Sequence, residues 1–288
     1  MDNQVIGLVA NPTKATAADL TMQLAAQFRD AGGRLLMEEA TATAAGLSGG
    51  LPLAAVAAEA TVLVVLGGDG TILHTARQLG AAVKPLAAVN VGRLGFLTTA
   101  TAAETDSFVQ ALIHGRYRIS ARQTIEAVFT DAEGRRHCQT GLNEAVISRG
   151  AAARTIRLDA VVDGVFVNRW SGDGLIVSSP TGSTAYCLSA GGPIIHPEAG
   201  VFCLTPICPH AIANRSVVIS DSAVIELTAS GASEELLLSI DGGAPWPLDL
   251  NGTVLLRRGA WTVPLVALPE TTFYGVLRHK LQWNGGGV

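Results

Sequence analysis

A lone carboxylate stands among glycines in the stretch LVVLGGDGTILH, residues 63–74. Gly67 and Gly68 lack side chains, so backbone N–H groups there could approach a ligand closely. The helix predicted from Thr71 would favour an anion at its start. A phosphate is the natural ligand, and Asp69 beside it could take a proton or share a metal ion, which are roles in phosphoryl transfer. The alternative is a tight turn, for which Gly-Asp-Gly is also suited.

A second polar group interrupts the strand pattern of GLNEAVISRG, residues 141–150. Asn143 and Glu144 are adjacent hydrogen-bonding side chains, and such a pair suits the hydroxyls of a ribose. The other interpretation is a bulge in an edge strand with a solvated glutamate. The sequence pattern alone leaves both open.

The third group lies in SGDGLIVSSPTGSTAYCLSAGGPI, residues 171–194. Asp173 precedes an apolar strand, and residues 180–184 combine a turn with a helix start rich in hydroxyls and N–H donors. Ser183 or Thr184 could simply cap that helix. Tyr186 adds an aromatic surface for stacking, so the segment suits a base and its sugar.

Alternating strands and helices in the first third must position the first group. The apolar pattern predicts strands at 4–10, 34–38, 61–66 and 85–90, and helices at 16–29, 51–58, 71–79 and 103–114. This order predicts an α/β domain with a doubly wound parallel sheet. Gly-Gly-Asp-Gly follows the strand at 61–66, at the carboxyl end where such sheets bind ligands.

Short strands follow one another after about residue 117. They are predicted at 124–130, 142–148, 156–162, 175–178, 216–219, 223–228, 236–240 and 254–257, with one helix at 183–190. Gly and Asp turns between them predict an antiparallel, β-sandwich-like domain. The expected organisation is an α/β domain at 1–118, a β-rich domain at 119–270, and a C-terminal segment at 271–288 that returns to the first domain.

Composition limits the function classes. The chain has 288 residues, a net charge of −4 and few lysines, which argues against a nucleic-acid binder. No apolar run reaches the ~18 residues of a membrane span, and neither GxxxxGK[ST] nor HExxH occurs. The start of the chain lacks the basic segment of a secretory signal, and the four cysteines form no CxxC pair. We therefore expect a cytoplasmic protein.

Six motifs together resemble those of bacterial NAD kinases, in the same order and over nearly the whole chain. They are GGDGTILH, NVGRLGFLT, LNEAVISR, DGLIVSSPTGSTAYCLSAGGPI, PHAIANR and LRHKLQW. The resemblance implies a phosphofructokinase-like α/β domain and phosphorylation of the 2′-hydroxyl of the adenosine ribose of NAD to give NADP. It also implies ATP or polyphosphate as phosphoryl donor, a divalent cation such as Mg²⁺, and a homodimer or homotetramer.

The same resemblance suggests roles for individual residues. Asp69 would accept or orient the hydroxyl proton, Asn143 and Glu144 would bind the ribose, and Arg154 and Asp173 would contact the nucleotide. No fixed protein site for the metal is predicted. The further expected substrate-binding residues are Gly68, Gly70, His74, Thr181, Thr184, Ala185, Tyr186, Cys187, Leu188 and Ser189.

Two other functions remain open. GGDG is shared with lipid kinases of the diacylglycerol and sphingosine type, but these would be expected to show a basic or apolar membrane-docking surface, and they leave PTGSTAY unexplained. A non-catalytic NAD-binding regulator on the same fold would be expected to lack the acid, whereas Asp69 is present.

Overall fold

The computed structural model describes residues 4–92, 95–150, 155–211, 214–229 and 235–283. Two compact units divide the chain: unit 1 comprises Met1–Ala121 and Val263–Val288, and unit 2 comprises Arg122–Thr262. The strands are β1 (Val5–Ala10), β2 (Arg34–Met37), β3 (Val62–Leu66), β4 (Leu86–Asn90), β5 (Ala100–Thr101), β6 (Arg118–Thr130), β7 (Arg136–Gly141), β8 (Glu144–Arg149), β9 (Ile156–Val162), β10 (Val165–Gly172), β11 (Gly174–Ser178), β12 (Val201–Ile207), β13 (Val217–Ser220), β14 (Ile225–Ala229), β15 (Leu236–Ile240), β16 (Trp246–Pro247) and β17 (Thr253–Ala267). The helices are α1 (Ala15–Asp30), α2 (Glu39–Ala44), α3 (Leu53–Glu59), α4 (Asp69–Leu79), α5 (Thr105–Ile113), α6 (Tyr186–Ser189) and α7 (Phe273–Lys280).

Unit 1 is built on a parallel sheet in the order β2–β1–β3–β4, with β5 and the end of β17 beside β4. All five residues of β3 are buried, as expected for a parallel strand covered on both faces. Phe28 of α1 and Phe108 of α5 belong to the core cluster on one face. On the other face, Val56 of α3 lies close to the backbone of Gly7 in β1. The predicted doubly wound α/β fold is confirmed.

The order of the strands reverses between β1 and β3. Ligands bind outside the carboxyl ends of the strands at such a point, because the two connections leave in opposite directions and open a crevice. The loop at 11–14 follows β1, and the loop at 67–68 follows β3. The Asn11 backbone N–H donates to the Leu66 carbonyl at 2.9 Å, which holds the starts of the two loops together.

Unit 2 contains two sets of antiparallel strands. One set has the order β10–β9–β14–β17, with β6 beside β17 and β7 beside β6. The other has the order β13–β12–β11–β8–β15–β16. Their apolar residues form one core cluster, to which Trp170 and Ile225 contribute from the first set and Phe202 and Leu238 from the second. The predicted antiparallel, sandwich-like architecture is therefore confirmed.

Several local features differ from the sequence prediction, since helices α2 and α7 and strands β5, β7, β10 and β16 were not predicted. The helix predicted at 183–190 is wrong: a 3₁₀ turn at Thr181–Thr184 is followed by the single turn of α6, and the break lies at Ala185, with φ −99° and ψ −127°. Strand β12 was not predicted. Its Pro206 cannot donate to a ladder, but pairing with β13 extends only to Leu204, so the missing N–H costs no bond on that side.

Candidate active site

The Asp69 carboxylate is fixed at the end of β3. Gly68 is the N-cap of α4 and Asp69 is its first residue, two positions before the predicted start at Thr71. The Phe96 N–H donates to Asp69 Oδ2 at 2.9 Å, and the Leu97 N–H donates to Oδ1 at 3.0 Å. Each carboxylate oxygen has a second lone pair, so the half-buried group can still accept a proton from a ligand.

The segment that holds Asp69 is itself fixed by Thr98. The Gly95 N–H donates to Thr98 Oγ1 at 3.0 Å, and the same hydroxyl donates back to the Gly95 carbonyl at 3.2 Å. A Cβ atom at Gly95 would overlap Asp69 Oδ1. Only glycine therefore lets the segment approach the acid this closely.

A cavity of about 460 Å³ opens at the crevice between β1 and β3. Gly70 and His74 lie four residues apart on α4, so they share one face of the helix, and both line this cavity. The loop after β1 forms another wall, and Glu38 stands at the end of β2. The remaining lining residues are Val9, Ala10, Asn11, Pro12, Thr13, Ala40, Thr71, Thr75 and Gln78.

Asn143 and Glu144 lie at the start of a central strand of unit 2. Strand β8 pairs with β11 on one side and β15 on the other, so the edge-bulge interpretation is wrong. Asn143 is 7% exposed and Glu144 is 5% exposed. A solvated glutamate is thereby excluded, and the pair occupies a buried polar position of the kind that needs hydrogen-bonding partners.

The Asp241 carboxylate accepts hydrogen bonds from the backbone N–H groups of residues 142–144. Leu142 N–H donates to Asp241 Oδ2 at 2.7 Å. Asn143 N–H and Glu144 N–H donate to Asp241 Oδ1 at 2.7 and 3.1 Å. Gly141 leaves room for this carboxylate, since a Cβ there would lie 2.8 Å from Asp241 Oδ1.

Ser179 donates hydrogen bonds to two backbone carbonyls of the same segment. Its N–H donates to the Asn143 carbonyl at 2.8 Å, and its hydroxyl donates to the Leu142 carbonyl at 2.6 Å. Gly182 lies against the Asn143 carbonyl so closely that a Cβ would overlap that oxygen. Residues 142–144 are therefore held rigidly from both sides.

The surroundings of the Glu144 carboxyl disfavour its ionised form. Burial, then the negative charge of Asp241, with a further contribution from Cys187, raise its pKa to about 8, against a hydrogen bond from the Tyr186 backbone N–H. Glu144 Oε2 and Thr181 Oγ1 are buried with no hydrogen-bond partner among the described residues. Such unsatisfied groups are costly unless a ligand or water completes them. The segment is thus prepared for a polar ligand.

Most hydroxyls of the PTGST segment serve the protein backbone. Ser183 Oγ donates to the Pro180 carbonyl at 2.6 Å and accepts the Ile195 N–H at 3.0 Å. Thr184 Oγ1 donates to the Thr181 carbonyl at 3.2 Å. These two hydroxyls fix the turn, but the capping interpretation is wrong, because Ala185 is the N-cap of α6 and no side chain caps that helix.

The short helix α6 divides its side chains between the core and the surface. Cys187 is fully buried, and its Sγ lies 3.3 Å from Thr205 Oγ1. Tyr186 is 44% exposed, so its ring is available for stacking. Ser189 is exposed, while Ala185 and Leu188 are half-buried.

Asp173 carries a basic partner of its own. Arg149 Nε lies 2.8 Å from Asp173 Oδ1, and both side chains are half-buried. The Asp173 N–H donates to the Ile207 carbonyl at 2.9 Å, which fixes the backbone before β11. Any ligand that meets Asp173 therefore meets an ion pair rather than a bare acid.

Known proteins match this chain over almost its full length. The model of the ATP-NAD kinase N-terminal domain matches residues 52–117, and that of the ATP-NAD kinase C-terminal domain matches residues 142–268. The NAD kinase of Solibacter usitatus is 37% identical over 278 residues, 96% of this chain and 97% of that protein. The NAD kinase of Desulforamulus reducens is 36% identical over 283 residues, 98% of both chains.

The chain belongs to the NAD kinase family. Two solved structures share the fold at lower identity. The yeast NADH kinase complexed with NADH has a TM-score of 0.89 and 24% identity, with 99% of this chain and 89% of that chain covered. The Archaeoglobus fulgidus NAD kinase complexed with ATP has a TM-score of 0.76 and 23% identity, with 97% and 99% covered. None of these proteins supports the lipid-kinase alternative.

The predicted site residues fall into two sets. Gly68, Asp69, Gly70 and His74 lie together at the start of α4 in unit 1. Arg154 lies outside the described residues. The unit 2 set lies around the starts of β8 and β11 and the turn before α6, and it comprises Asn143, Glu144, Asp173, Thr181, Thr184, Ala185, Tyr186, Cys187, Leu188 and Ser189.

The residues that hold these groups in place were not predicted from the sequence. Asp241 stands in an Asp-Gly-Gly turn, which looks like ordinary turn chemistry. The amides of Phe96 and Leu97 leave no side-chain signal, although NVGRLGFLT was recognised as a motif. Ser179 and Arg149 carry the remaining supporting bonds.

Two further findings concern the described residues of the chain. No helix among them is both long and apolar enough to cross a membrane. No group of three or more His, Cys, Asp or Glu side chains among them is arranged to hold a metal ion.

Proposed function

We propose that this protein phosphorylates the 2′-hydroxyl of the adenosine ribose of NAD and so produces NADP. The observation that carries the proposal is the position of the Asp69 carboxylate. Asp69 lies after the carboxyl end of β3, at the start of α4, and its two oxygens accept hydrogen bonds from the backbone N–H groups of Phe96 and Leu97. A ribose hydroxyl is a poor nucleophile at neutral pH. A positioned carboxylate can accept or align its proton as the oxygen bonds to the terminal phosphorus of the donor and the bond from that phosphorus to the rest of the donor breaks.

Asn143 and Glu144 are proposed to bind the ribose hydroxyls. A protonated Glu144 carboxyl both donates and accepts hydrogen bonds, so it can match a hydroxyl in either role. Thr181 Oγ1, also buried and without a partner among the described residues, is a further contact for the nucleotide. Tyr186 is proposed to stack on a ring of the substrate, since its own ring is exposed.

The phosphoryl donor is proposed to be ATP or polyphosphate. The cavity beside Gly70 and His74 offers it room at the point where doubly wound sheets bind ligands. A divalent cation, with Mg²⁺ the expected one, would arrive with the donor phosphates. It would reduce the repulsion between those phosphates and the Asp69 carboxylate.

The decisive experiment incubates the purified protein with NAD, ATP and Mg²⁺ and measures NADP with an NADP-specific dehydrogenase. We expect NADP to form in proportion to enzyme, and polyphosphate in place of ATP tests the donor. A preparation that is folded by circular dichroism yet forms no NADP with either donor contradicts the proposal. Replacing NAD by NADH in the same assay measures whether the reduced dinucleotide is accepted.

The protein is further proposed to be a cytoplasmic homodimer or homotetramer. The resemblance to bacterial NAD kinases supports the assembly. The four cysteines are all free, including the exposed Cys138 and Cys208, which agrees with a reducing compartment. Light scattering after gel filtration would measure the number of subunits, and a monomer would contradict this part of the proposal.

A further inference from the structure

We propose that Asp241 is the positioning residue for the substrate-binding pair, because its carboxylate fixes the backbone from which Asn143 and Glu144 project. The inference rests on the proposed function and deepens it, because it assigns to a turn residue the control of NAD binding. Asp241 itself need not touch the substrate.

Geometry is the first support. Three consecutive N–H groups, from Leu142 to Glu144, donate to the two oxygens of Asp241. The Asp241 N–H donates in turn to the Glu144 carbonyl at 3.0 Å. A carboxylate that accepts hydrogen bonds from several backbone N–H groups holds them strongly, because its charge strengthens each bond. The two binding side chains project from the backbone that this carboxylate fixes.

The backbone of Asp241 is itself unusual. Its φ of 50° lies in the left-handed region, which is uncommon for a residue other than glycine, although Asp tolerates it better than most. This conformation places the residue at the turn after β15, opposite the start of β8. The turn thus directs a carboxylate at the 142–144 amides instead of serving only as a link between strands.

Charge is the second support. The groups that face the Glu144 carboxyl are Asp241, from the turn after β15, and Cys187, from α6, while Tyr186 contributes a backbone N–H. Burial and the Asp241 charge together raise the pKa of Glu144 to about 8. A neutral Glu144 can donate its O–H to a ligand oxygen, whereas an ionised one can only accept. NAD affinity should therefore fall as the pH rises past about 8.

The test compares Asp241→Asn with the matched control Asp163→Asn. Asp163 also has a φ of 50° and lies in the same unit, but its carboxylate accepts the single N–H of Val224. NAD affinity is measured by calorimetry from about pH 6 to about pH 9, and the Michaelis constants for NAD and ATP are measured in the NADP assay. Circular dichroism reports folding.

Asp241→Asn should weaken NAD binding by about tenfold or more, since one amide loses its acceptor. The Michaelis constant for ATP should change far less. The inflection in the plot of NAD affinity against pH should also move to lower pH. Removing the negative charge beside Glu144 lowers the pKa of its carboxyl. Asp163→Asn should retain the affinity and the inflection of the wild type.

Asp241→Glu separates placement from charge. Its longer side chain displaces the oxygens but keeps the negative charge, so affinity should fall while the inflection stays near its wild-type position. This variant also carries the test if Asp241→Asn does not fold. An Asp241 variant with wild-type affinity and an unmoved inflection overturns the inference. Wild-type protein that forms no NADP overturns the proposed function instead, so the two failures are distinguishable.

Discussion

Gly95 lies so close to Asp69 that a single added carbon at Gly95 would overlap the carboxylate oxygen Oδ1. The closeness follows from the two amides after Gly95, which donate to the Asp69 oxygens. The position of the proposed base therefore depends on a residue that offers it no functional group.

Gly95→Ala should displace the Asp69 carboxylate or the segment that binds it. We expect turnover to fall by about 10²-fold, because a shift of about 1 Å at a reacting group has effects of that size. Overpacking should cost about 1–3 kcal/mol in the free energy of unfolding. Steady-state NADP formation and urea unfolding measure the two effects. The control is Gly92→Ala, whose Cβ would lie 3.8 Å from Asn90 Oδ1; equal turnover in both variants would contradict the prediction.

Asp69→Asn removes the proposed base while keeping the shape of the side chain. Single-turnover NADP formation should slow by about 10²–10⁴-fold, the usual contribution of a general base, while NAD still binds. An amide offers one acceptor where the carboxylate offers two, so one of the Phe96 and Leu97 amides loses its partner. We expect a cost of about 1–3 kcal/mol in stability.

The matched control for this change is Asp19→Asn, an exposed acid on α1 in the same unit. It should leave turnover and unfolding unchanged. If folded Asp69→Asn turned over as fast as Asp19→Asn, Asp69 would be a structural turn residue and not the base.

Asn143→Ala and Glu144→Ala should each weaken NAD binding. Losing a hydrogen bond to a buried polar partner costs about 1–3 kcal/mol, so the Michaelis constant for NAD should rise roughly 5- to 150-fold. The constant for ATP serves as the internal control and should change less. Unaltered NAD affinity by calorimetry in both variants would show that the ribose is bound elsewhere.

Glu144→Gln should change how the stability of the unliganded protein depends on pH. Folding raises the pKa of Glu144 from 4.5 to about 8, so between these values the folded state binds a proton that the unfolded state has lost. The contribution of this group to stability is fully present below about pH 4.5 and is lost as the pH rises towards 8. Gln cannot ionise, so this loss is absent from the variant.

The measurement is urea unfolding of both proteins at several pH values across that window. The free energy of unfolding of Glu144→Gln, relative to wild type, should increase with pH and level off above about 8. A difference that stays constant across the window would mean that Glu144 is ionised in the folded protein.

Local sequence patterns indicated the fold class, most of the strands and the family of this protein. The apolar run at 61–66 predicted β3, because a parallel strand buried on both faces needs no polar alternation. Leu236–Ile240 was predicted to the residue as a strand because it is a short apolar run, and in the structure its side chains alternate between buried and half-buried positions. The change from βαβ order to short strands separated the two architectures. Asp69, Asn143 and Glu144 were identified in the same way, as polar groups that interrupt apolar patterns.

Tertiary structure alone decided how those groups are held. The Asp69 carboxylate accepts a hydrogen bond from the Phe96 N–H, 27 residues away in the sequence. The Glu144 N–H donates to the Asp241 carboxylate, 97 residues away. Backbone amides are the same in every residue except proline, so no sequence pattern reveals which of them a carboxylate will reach. The pKa of Glu144 likewise depends on burial and on the Asp241 charge, which exist only after the strands have paired.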